Sequence, residues 1–388
     1  MKRLHIINLD GLAGTERMLI QFINSNMHDG DEDKILNINN EISHQLTGHL
    51  PKEKIIFPYR VFQNKTLKHP SFIRKYLLRR AIEKENPDLI IIWDLIPNWD
   101  KKPSCGKIIY YDHGNSWYFT KNAKTLNFFS MVDGCISASF ASQRMLQLKF
   151  NLKCPIETVS NNIPHPHKIK TPKDISTKQI TLGTASRLEP IKAVGVSILT
   201  TMELNNRGID TKLYIAGHGS QEESLKKLVR KLNLVDKVIF LGFQKDLSEF
   251  YQNIDFYISS PITEAFGLSC MEALYNGIPV IFPMIDGQPE VIKHEYSGLG
   301  YMPTMTLDEY SELTDLKVNY THQGYSPLED KLVELKVPSY IDYADGIEAT
   351  IKENKYLMYS YNAQAYTQEQ CDYKQFNYLL KEKLSSFL

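Results

Sequence analysis

The stretch that decides the fold covers residues 254–282 and reads IDFYISSPITEAFGLSCMEALYNGIPVIF. Its opening run, IDFYISS, predicts a buried strand, and Pro261 ends that strand. A segment of helical length follows, and IPVIF (278–282) predicts the next buried strand. A strand, a helix and a second strand in this order indicate a βαβ unit, which belongs to a parallel sheet.

The same alternation extends outward over most of the chain. The further predicted strands are, in chain order, LHIINL (4–9), DLIIIW (88–93), KIIYYDH (107–113), GCISAS (134–139), QITLGTAS (179–186), TKLYIAG (211–217) and DKVIFLG (236–242). Segments with helical spacing separate them, such as FASQRMLQLKF (140–150) and QEESLKKLVRKLNL (221–234). Near-continuous apolar strands are typical of α/β proteins in which helices cover both faces of a doubly wound parallel sheet.

The alternation stops once, at PHPHKIKTPKDISTK, which is rich in proline and lysine. This composition predicts a linker at 165–178, with one Rossmann-like domain at 1–164 and a second at 179–371. Two such domains are expected to face a central cleft at the carboxyl ends of their strands, where open α/β folds bind ligands. Helical spacing near the end predicts a helix at about 372–388 that packs back across either domain, and the first domain is the one we name for it. The acidic segment 305–337 is too irregular to interpret.

Composition places the chain among ordinary globular proteins. Of its 388 residues, 42% are hydrophobic and 23% charged, and 45 basic residues balance 45 acidic ones, so net charge does not indicate a nucleic-acid partner. Five scattered cysteines without a C-x-x-C pair argue against a disulfide framework or a structural zinc. No apolar run approaches the ~20 residues that span a bilayer, and MKRLHIINLDG does not resemble a signal peptide. We therefore expect a cytoplasmic protein.

Two turns that follow predicted strands carry candidate donor-binding residues. In GTASRLEPIKAVG, Arg187 and Lys192 come just before a helix. Two cations beside the N–H groups of a helix end suit a diphosphate, and they equally fit two solvated cations on a loop. In YIAGHGSQEESL, Gly217 and Gly219 would let a ligand approach the backbone, although any tight turn uses glycine. A flat base would rest against the turn at Phe243, which follows the next strand.

The loop and helix of the opening stretch hold two acids, Glu264 and Glu272, that apolar packing does not require. Phe266, Gly267 and Leu268 begin the predicted helix, so their N–H groups favour a phosphate or a sugar oxygen. The Glu272 side chain leans back toward the same helix end. Since a carboxylate accepts hydrogen bonds from both hydroxyls of a diol, two acids around a phosphate site fit a nucleotide sugar. The alternative is a loop acid and a surface acid without a ligand.

These motifs together resemble a known family, the retaining GT-B glycosyltransferases, and in particular glycosyltransferase family 4. TEAFGLSCMEALYNGIPVI (263–281) is similar to the E-x7-E signature of that family, and ASRLEPIKAV (185–194) to its phosphate turn. LYIAGHG, VIFLGF and IDFYISS follow in the family's order. In the first half, GLAGTERML (11–19) resembles the glycine-rich loop that faces the donor diphosphate, and YYDHG (110–114) the His-Gly at a strand end.

The resemblance implies a role for each matching residue in the second half. Arg187 and Lys192 would neutralise the donor diphosphate, and Glu272 would bind the ribose hydroxyls. Glu264 and the amides of 266–268 would hold the transferred sugar and the adjoining phosphate.

In the first half, the resemblance implies that Gly14 lets the domain close over the pyrophosphate and that His113 lies near the sugar and the acceptor. Trp117 and Tyr118 would form a stacking wall for an acceptor sugar, or else pack in the core. One departure from the family is Ala193, which stands where a glycine usually follows the lysine.

The implied activity is a metal-independent, retaining hexosyl-type glycosyltransferase. The leaving diphosphate needs charge stabilisation, which Arg187, Lys192 and helix amides are able to supply without a metal ion. We expect no cofactor, and attack on the same face of the sugar with the leaving phosphate oxygen taking the acceptor proton. A covalent mechanism with Glu264 as nucleophile competes with this one, but a helix end lined for phosphate is a poor place for an attacking carboxylate.

The expected donor is a nucleotide sugar, with UDP inferred from family frequency, and the expected acceptor is a glycan or lipid-linked glycan in surface polysaccharide or lipopolysaccharide assembly. The basic, amphipathic segment 64–84 fits the anionic inner face of the plasma membrane, or a surface helix that packs its apolar stripe on the first domain. The alternatives to a transferase are a sugar-nucleotide epimerase on the same scaffold and a non-catalytic nucleotide-sugar or glycan-binding partner.

Overall fold

The computed structural model of the protein describes residues 1–11, 14–25, 30–46, 48–61, 65–66, 70–99, 101–165, 169–172, 174–175 and 179–388. The chain divides into two compact units. The first comprises Met1–Ser160 together with Lys374–Leu388, and the second comprises Asn161–Tyr373. Among the described residues, no helix combines the length and the apolar character that crossing a bilayer requires.

The first unit is built on a parallel sheet. Its described strands are β1 (Lys2–Ile7), β2 (Glu32–Asn37), β3 (Ile55–Ile56), β4 (Arg60–Val61), β5 (Lys65–Thr66), β6 (Leu89–Trp93), β7 (Lys107–Asp112), β8 (Gly134–Ser137) and β9 (Ile156–Thr158). The sheet has the order β3-β2-β1-β6-β7-β8-β9, while β4 and β5 form a separate antiparallel pair. Because β6 is buried along its whole length, the sheet is covered on both faces.

Helices and short turns connect these strands. The helices are α1 (Gly14–Ser25), α2 (Ser71–Glu85), α3 (Ala123–Met131) and α4 (Phe140–Met145). The segment predicted as one helix at 140–150 is α-helical only to Met145 and continues as a π-helical turn, Leu146–Phe150. Caps fix the starts of α3 and α4, where Asn122 and Ser139 accept the backbone N–H groups of Thr125 and Ser142.

The second unit repeats the architecture. Its strands are β10 (Gln179–Ala185), β11 (Asp210–Ala216), β12 (Val238–Gly242), β13 (Phe256–Ile258), β14 (Val280–Pro283), β15 (Gly298–Tyr301), β16 (Gly324–Ser326) and β17 (Lys331–Val333). Strands β12-β11-β10-β13-β14-β15 form the parallel sheet in that order, and β16 pairs with β17 in an antiparallel hairpin. This hairpin lies in the segment 305–337, which the sequence pattern left uninterpreted.

The helices of the second unit cover this sheet. They are α5 (Gly195–Asn206), α6 (Glu222–Lys231), α7 (Ser248–Gln252), α8 (Leu268–Tyr275), α9 (Gln288–Val291), α10 (Leu307–Thr314), α11 (Tyr340–Lys352) and α12 (Tyr356–Gln370).

The last helix, α13 (Tyr373–Ser385), belongs to the first unit from Lys374 onward, and its Lys383 pairs with Glu157 at 2.9 Å. A Cβ atom at Gly134 would lie 2.2 Å from the Phe387 ring, so the C-terminus packs directly on β8.

Both sheets have the doubly wound form that the alternation of apolar runs predicts. In the first unit the chain adds β2 and β3 on one side of β1 and then continues with β6 on the other side. In the second unit it adds β11 and β12 beside β10 and then crosses to β13. Open α/β sheets bind ligands at the carboxyl ends of the strands where the direction of winding changes. The loops that follow β10 and β13 are therefore the first place to look for a site.

Candidate functional site

The two loops at this point of the second unit bring Lys192 and Glu264 together. Lys192 ends a 3-10 turn, Pro190–Lys192, and Glu264 lies in the loop between β13 and α8. The Lys192 Nζ lies 2.5 Å from Glu264 Oε2, and each side chain keeps 22% of its surface exposed. The pair is therefore accessible and can offer a cation to a phosphate and a carboxylate to a hydroxyl group.

Backbone contacts hold the two loops as one body. The Ile262 N–H donates to Ile191 O at 2.8 Å. The Ser260 hydroxyl donates to the carbonyl oxygens of Lys192, at 3.2 Å, and Ala193, at 3.1 Å. Ala193 itself is in the left-handed region, with φ of 42° and ψ of 43°, a conformation that glycine adopts without strain and alanine does not.

Arg187 is exposed on the same turn. A third loop, which contains Gly217 and Gly219, packs against that turn. The Leu188 N–H donates to His218 O at 2.9 Å. A Cβ atom at Gly217 would lie 1.9 Å from Ser186 O, and one at Gly219 would lie 2.5 Å from Leu188 O. The structure thus gives these two glycines a further reason, because each allows two protein loops to approach closely, while the approach of a ligand stays a prediction.

Helix α8 begins at Leu268, and Gly267 is its N-cap residue with φ of 106° and ψ of 59°. The first N–H groups of a helix have no partner inside the helix and lie at its positive end. Phe266 is buried, at 5% exposure, and packs in the core below the loop. The predicted helix tip therefore exists, two residues later than Phe266, and follows directly on the loop that carries Glu264.

Glu272 lies on α8 and is oriented by Tyr251, a residue that no motif indicated. The Tyr251 hydroxyl donates to Glu272 Oε2 at 2.8 Å. Burial, together with the charge of Glu272, holds the pKa of Tyr251 well above its ordinary value, so the hydroxyl stays protonated and remains a donor. Tyr251 is only 3% exposed. A sequence pattern therefore indicates a core residue at this position and does not reveal the contact with Glu272.

Phe243 follows β12 and keeps 47% of its surface exposed. Its ring meets the His218 ring edge to face, with 5.7 Å between the ring centroids. An exposed aromatic ring of this size at the carboxyl edge of the sheet is a surface on which a flat base can stack.

In the first unit, the candidate residue His113 lies just beyond β7. Its ring stacks on Trp93, with 5.4 Å between the centroids and 9° between the planes. Burial lowers the pKa of His113 to about 3, so the imidazole is neutral at physiological pH. The neutral ring is therefore suited to donating and accepting hydrogen bonds, and not to giving up a proton as an imidazolium.

Asp94, which no motif indicated, fixes the backbone of His113. Its Oδ1 accepts the N–H groups of His113 and Asn115, both at 2.9 Å. Burial and the nearby charge of Asp112 raise the pKa of Asp94 to about 8. The Thr15 hydroxyl of α1 also donates to Asp94 Oδ2, at 3.4 Å.

The remaining candidates of the first unit differ in accessibility. Gly14 is the first residue of α1, while Leu12 and Ala13 of the glycine-rich loop lie outside the described residues. Trp117 is 1% exposed and packs in the interior, whereas Tyr118 is 43% exposed. Of the two aromatic candidates, Tyr118 is thus the one whose ring a ligand can reach.

Comparisons with known proteins find similar sequences and structures among glycosyltransferases. Residues 167–316 match the family model of glycosyl transferases group 1. An uncharacterized glycosyltransferase of Haemophilus influenzae is 25% identical over 91% of this chain and 98% of that protein. The GtfA subunit of a UDP-N-acetylglucosamine–peptide N-acetylglucosaminyltransferase of Streptococcus gordonii is 25% identical over 58% of this chain. That match spans 46% of the subunit, and the chain spans less than half the length of several curated relatives that it matches.

Among solved structures, HepE of Anabaena, in complex with UDP and glucose, is similar to this chain with a TM-score of 0.73. The sequence identity is 18%, and the alignment covers 100% of both chains. The predicted GT-B fold and the resemblance to the glycosyltransferases are confirmed.

Proposed function

Since residues 167–316 carry the sequence of a group 1 glycosyltransferase, we propose that this protein moves a sugar from a UDP-linked donor to a glycan or lipid-linked acceptor with retention of configuration. The observation that carries the proposal is the convergence of Lys192, Glu264 and the start of α8 at the winding change of one sheet. The nucleotide is taken from the relatives, since HepE of Anabaena is described with UDP and glucose.

Each part of a nucleotide sugar has a matching group in the second unit. The diphosphate lies against Lys192, Arg187 and the amides of α8, where positive charge and free donors favour it. Glu272, oriented by Tyr251 at 2.8 Å, binds the ribose hydroxyls. Glu264 binds hydroxyls of the transferred sugar and keeps its ion pair with Lys192. The base stacks near Phe243, at the exposed edge of the sheet.

Catalysis then depends on charge that develops on the leaving group. When the bond from the anomeric carbon to the phosphate oxygen breaks, the diphosphate gains negative charge, which Lys192, Arg187 and the helix amides stabilise. The acceptor hydroxyl attacks from the same face and forms the new glycosidic bond. Its proton passes to the phosphate oxygen that has just been released. His113 contributes on the acceptor side by hydrogen bonding, because its lowered pKa keeps the ring neutral.

The proposal includes independence from a metal ion. One stretch of the chain, Asp31–Glu32–Asp33, has the form of a metal-binding motif, but Arg3 binds both aspartates, at 2.9 Å to Asp31 and 2.6 Å to Asp33. Transfer is expected to proceed at the same rate in EDTA and in added Mg²⁺ or Mn²⁺. A rate that falls in EDTA and returns with one of these ions would contradict this part.

The test of the function is incubation with a panel of nucleotide sugars, read by release of nucleoside diphosphate with and without acceptor glycans. Lys192→Ala, Glu264→Ala and Arg187→Ala are each expected to lose about 10²-fold or more in turnover, the range seen when one transition-state contact is removed. Arg230→Ala, at an exposed cation on α6, is the matched control and should behave as wild type.

The panel also separates the two alternatives. An epimerase would change the sugar without releasing nucleoside diphosphate, and a binding partner would bind the donor without turnover. Wild-type turnover in all three site variants would refute the assignment of the site.

We also propose that α2 contacts an anionic membrane. Phe72 is 69% exposed and Tyr76 is 51% exposed on this helix, and Arg80, which is also exposed, continues the same face one turn further on. Aromatic rings beside cations suit a lipid interface. Residues 64 and 67–69 of the predicted segment 64–84 lie outside the described residues.

Flotation with liposomes tests this contact. Binding is expected to require anionic lipid and to weaken in Phe72→Ser and Tyr76→Ser, whereas Tyr361→Ser, at a 56% exposed tyrosine of the second unit, should not matter. Equal flotation with neutral and anionic vesicles would contradict the proposal.

A further inference from the structure

We infer that Asp286 is a positioning residue for Glu264, and that the hairpin β16–β17 forms part of the support of the donor site. The inference rests on the proposed function, since it concerns the residue that holds the transferred sugar. It assigns a role to a segment, 305–337, that no sequence motif explains.

The carboxylate of Asp286 joins two distant segments of the second unit. Asp286 follows β14, is 1% exposed and has φ of 51°. Its Oδ2 accepts the backbone N–H of Glu264 at 3.0 Å, and its Oδ1 accepts the backbone N–H of Tyr325 at 2.6 Å. The Asp286 N–H in turn donates to Tyr325 O at 2.9 Å. Both carboxylate oxygens are thus engaged, one by the candidate site and one by the hairpin.

The two residues after Asp286, Gly287 and Gln288, also contact the loop that carries Glu264. The Gly287 N–H donates to Glu264 O at 3.1 Å, so residues 286 and 287 hold both backbone polar groups of Glu264. Gln288 is fully buried, and its Oε1 accepts the Ser259 hydroxyl at 3.0 Å. Its Nε2 lies 2.7 Å from the position that a Cβ atom at Gly267 would occupy. The turn 286–288 therefore contacts the loop at its start, at Glu264 and at the tip of α8.

These contacts determine where the Glu264 carboxylate lies. From the present position of its backbone, the Glu264 side chain reaches Lys192 Nζ at 2.5 Å. Asp286 thus holds the backbone of Glu264 by a hydrogen bond of 3.0 Å, while the hairpin fixes Asp286 through a reciprocal pair of bonds with Tyr325.

An aspartate is specifically suited to this position. Aspartate and asparagine tolerate the left-handed conformation better than other residues with a side chain. Asparagine would keep one acceptor oxygen but would turn its NH₂ group toward the second backbone N–H, so that two donors meet. Glycine would adopt φ of 51° without strain and would lose both bonds. Asp286→Asn and Asp286→Gly therefore perturb the same contact in different ways.

The test is a double-mutant cycle with Glu264. Asp286→Asn and Asp286→Gly are made in the wild-type chain and in Glu264→Gln, and turnover and KM for the donor are measured in all of them. If Asp286 acts through Glu264, each Asp286 variant lowers kcat by about 10- to 100-fold in the wild-type chain, with little change in KM. In the Glu264→Gln background the same changes should alter kcat by less than about twofold, because residues that act as one unit are not additive.

A second measurement does not depend on activity. Hydrogen exchange of peptides that cover 262–268 should speed up in Asp286→Gly, because the Glu264 amide has lost its acceptor. Arg230→Ala, at an exposed cation on α6 that forms no part of this support, is the matched control. It should leave both kcat and exchange at 262–268 unchanged.

Failure of this inference can be told apart from failure of the proposed function. If the wild-type chain turns over no nucleotide sugar, the proposed function fails, and the exchange experiment still decides whether Asp286 holds Glu264. If the wild-type chain is active and the Asp286 variants lose the same factor in both backgrounds, or exchange at 262–268 does not change, Asp286 is not the positioning residue of Glu264.

Discussion

Gly287→Ala offers the most direct test of how the loop of Glu264 is held. The backbone at Gly287 has φ of −86° and ψ of 1°, which alanine adopts freely, so the change introduces no conformational strain. The added Cβ atom, however, would lie 1.9 Å from Ala265 O and 2.7 Å from Ala265 C. Since ordinary carbon contacts lie at about 3.5 Å, the two segments must separate by about 1.5 Å.

The magnitude of the effect follows from this displacement. Ala265 is adjacent to Glu264, whose carboxylate lies 2.5 Å from Lys192 Nζ, and the required movement would break that contact. A misplacement of about 1 Å in a site can cost about 10²-fold in rate, which corresponds to roughly 2.7 kcal/mol in the activation free energy. We expect kcat to fall by about this factor in the diphosphate-release assay.

Gly208→Ala provides the matched control. Gly208 has φ of 80°, and a Cβ atom added there would have no other atom within 4 Å, so this variant carries the cost of a left-handed alanine without a collision. It should lose about 1 kcal/mol of unfolding free energy and keep its kcat. If Gly287→Ala retained the kcat and KM of the wild type while folding normally, the loop would not be held by this contact, and the account of the site would be wrong.

Three further predictions follow from single contacts. Tyr251→Phe removes the donor to Glu272, 2.8 Å away, and should raise the Kd for UDP by about 10- to 160-fold by calorimetry, the range for one hydrogen bond to a charged group; an unchanged Kd would show that Tyr251 does not orient Glu272 for a ribose. Burial and the charge of Asp112 raise the pKa of Asp94 to about 8, so between pH ~4 and 8 the folded first unit holds a proton that the unfolded chain has lost; the contribution of this group to stability is fully present below pH ~4 and is lost as the pH rises to 8. Between pH 6.5 and 8 the decline should be about 1–2 kcal/mol in urea unfolding followed by the fluorescence of the three tryptophans, which all lie in the first unit, and Asp94→Asn should reduce it. Ala193→Gly relieves a residue with φ of 42° but loosens the unfolded chain, so the unfolding free energy should change by less than about 1 kcal/mol with activity unaltered, and a loss of activity would show that the methyl group matters.

The architecture could be predicted because its signal is local. Strands β6, β7, β10 and β11 are apolar over most of their length and lie within a residue or two of the predicted runs. Strand β2 was missed because Glu32, Asp33 and Lys34 open it, and three charged residues in succession hide an apolar strand. Two of these charges are explained only by the folded chain, where Arg3 binds Asp33 at 2.6 Å and Lys34 binds Glu85 at 2.6 Å.

The supporting residues of the site could not be predicted, for a physical reason. Lys192 and Glu264 stand out in the sequence because they lie in motifs that resemble those of a known family, and the structure brings them together. Tyr251 and Asp286 act through single contacts that exist only after the sheet has formed, to residues 21 and 22 positions away along the chain. A buried tyrosine and a turn aspartate are also common for reasons unrelated to a ligand, so their identity alone carries little information.

In both units, an aspartate that follows one strand accepts the backbone N–H of a candidate residue beyond the neighbouring strand. Asp94 follows β6 with φ of 56° and accepts the N–H of His113, which follows the neighbouring strand β7. Asp286 follows β14 with φ of 51° and accepts the N–H of Glu264, which lies beyond the neighbouring strand β13. Parallel neighbours end at the same edge of a sheet, so a left-handed residue just past one strand turns its side chain toward the loop of the next.

This geometry explains why an aspartate fills both positions. The residue must tolerate positive φ, reach a backbone N–H across one strand spacing of about 4.8 Å, and present an oxygen that accepts it. Glycine tolerates positive φ but has no side chain to accept the N–H. Glutamate reaches further, but its longer side chain loses more conformational entropy when it is fixed. It follows that substitution of either aspartate by glycine should leave the sheet intact and loosen only the loop that carries the candidate residue, which amide exchange at residues 113–115 and 264 would reveal. Exchange that instead increased throughout β6 or β14 would show that these carboxylates stabilise the sheet itself.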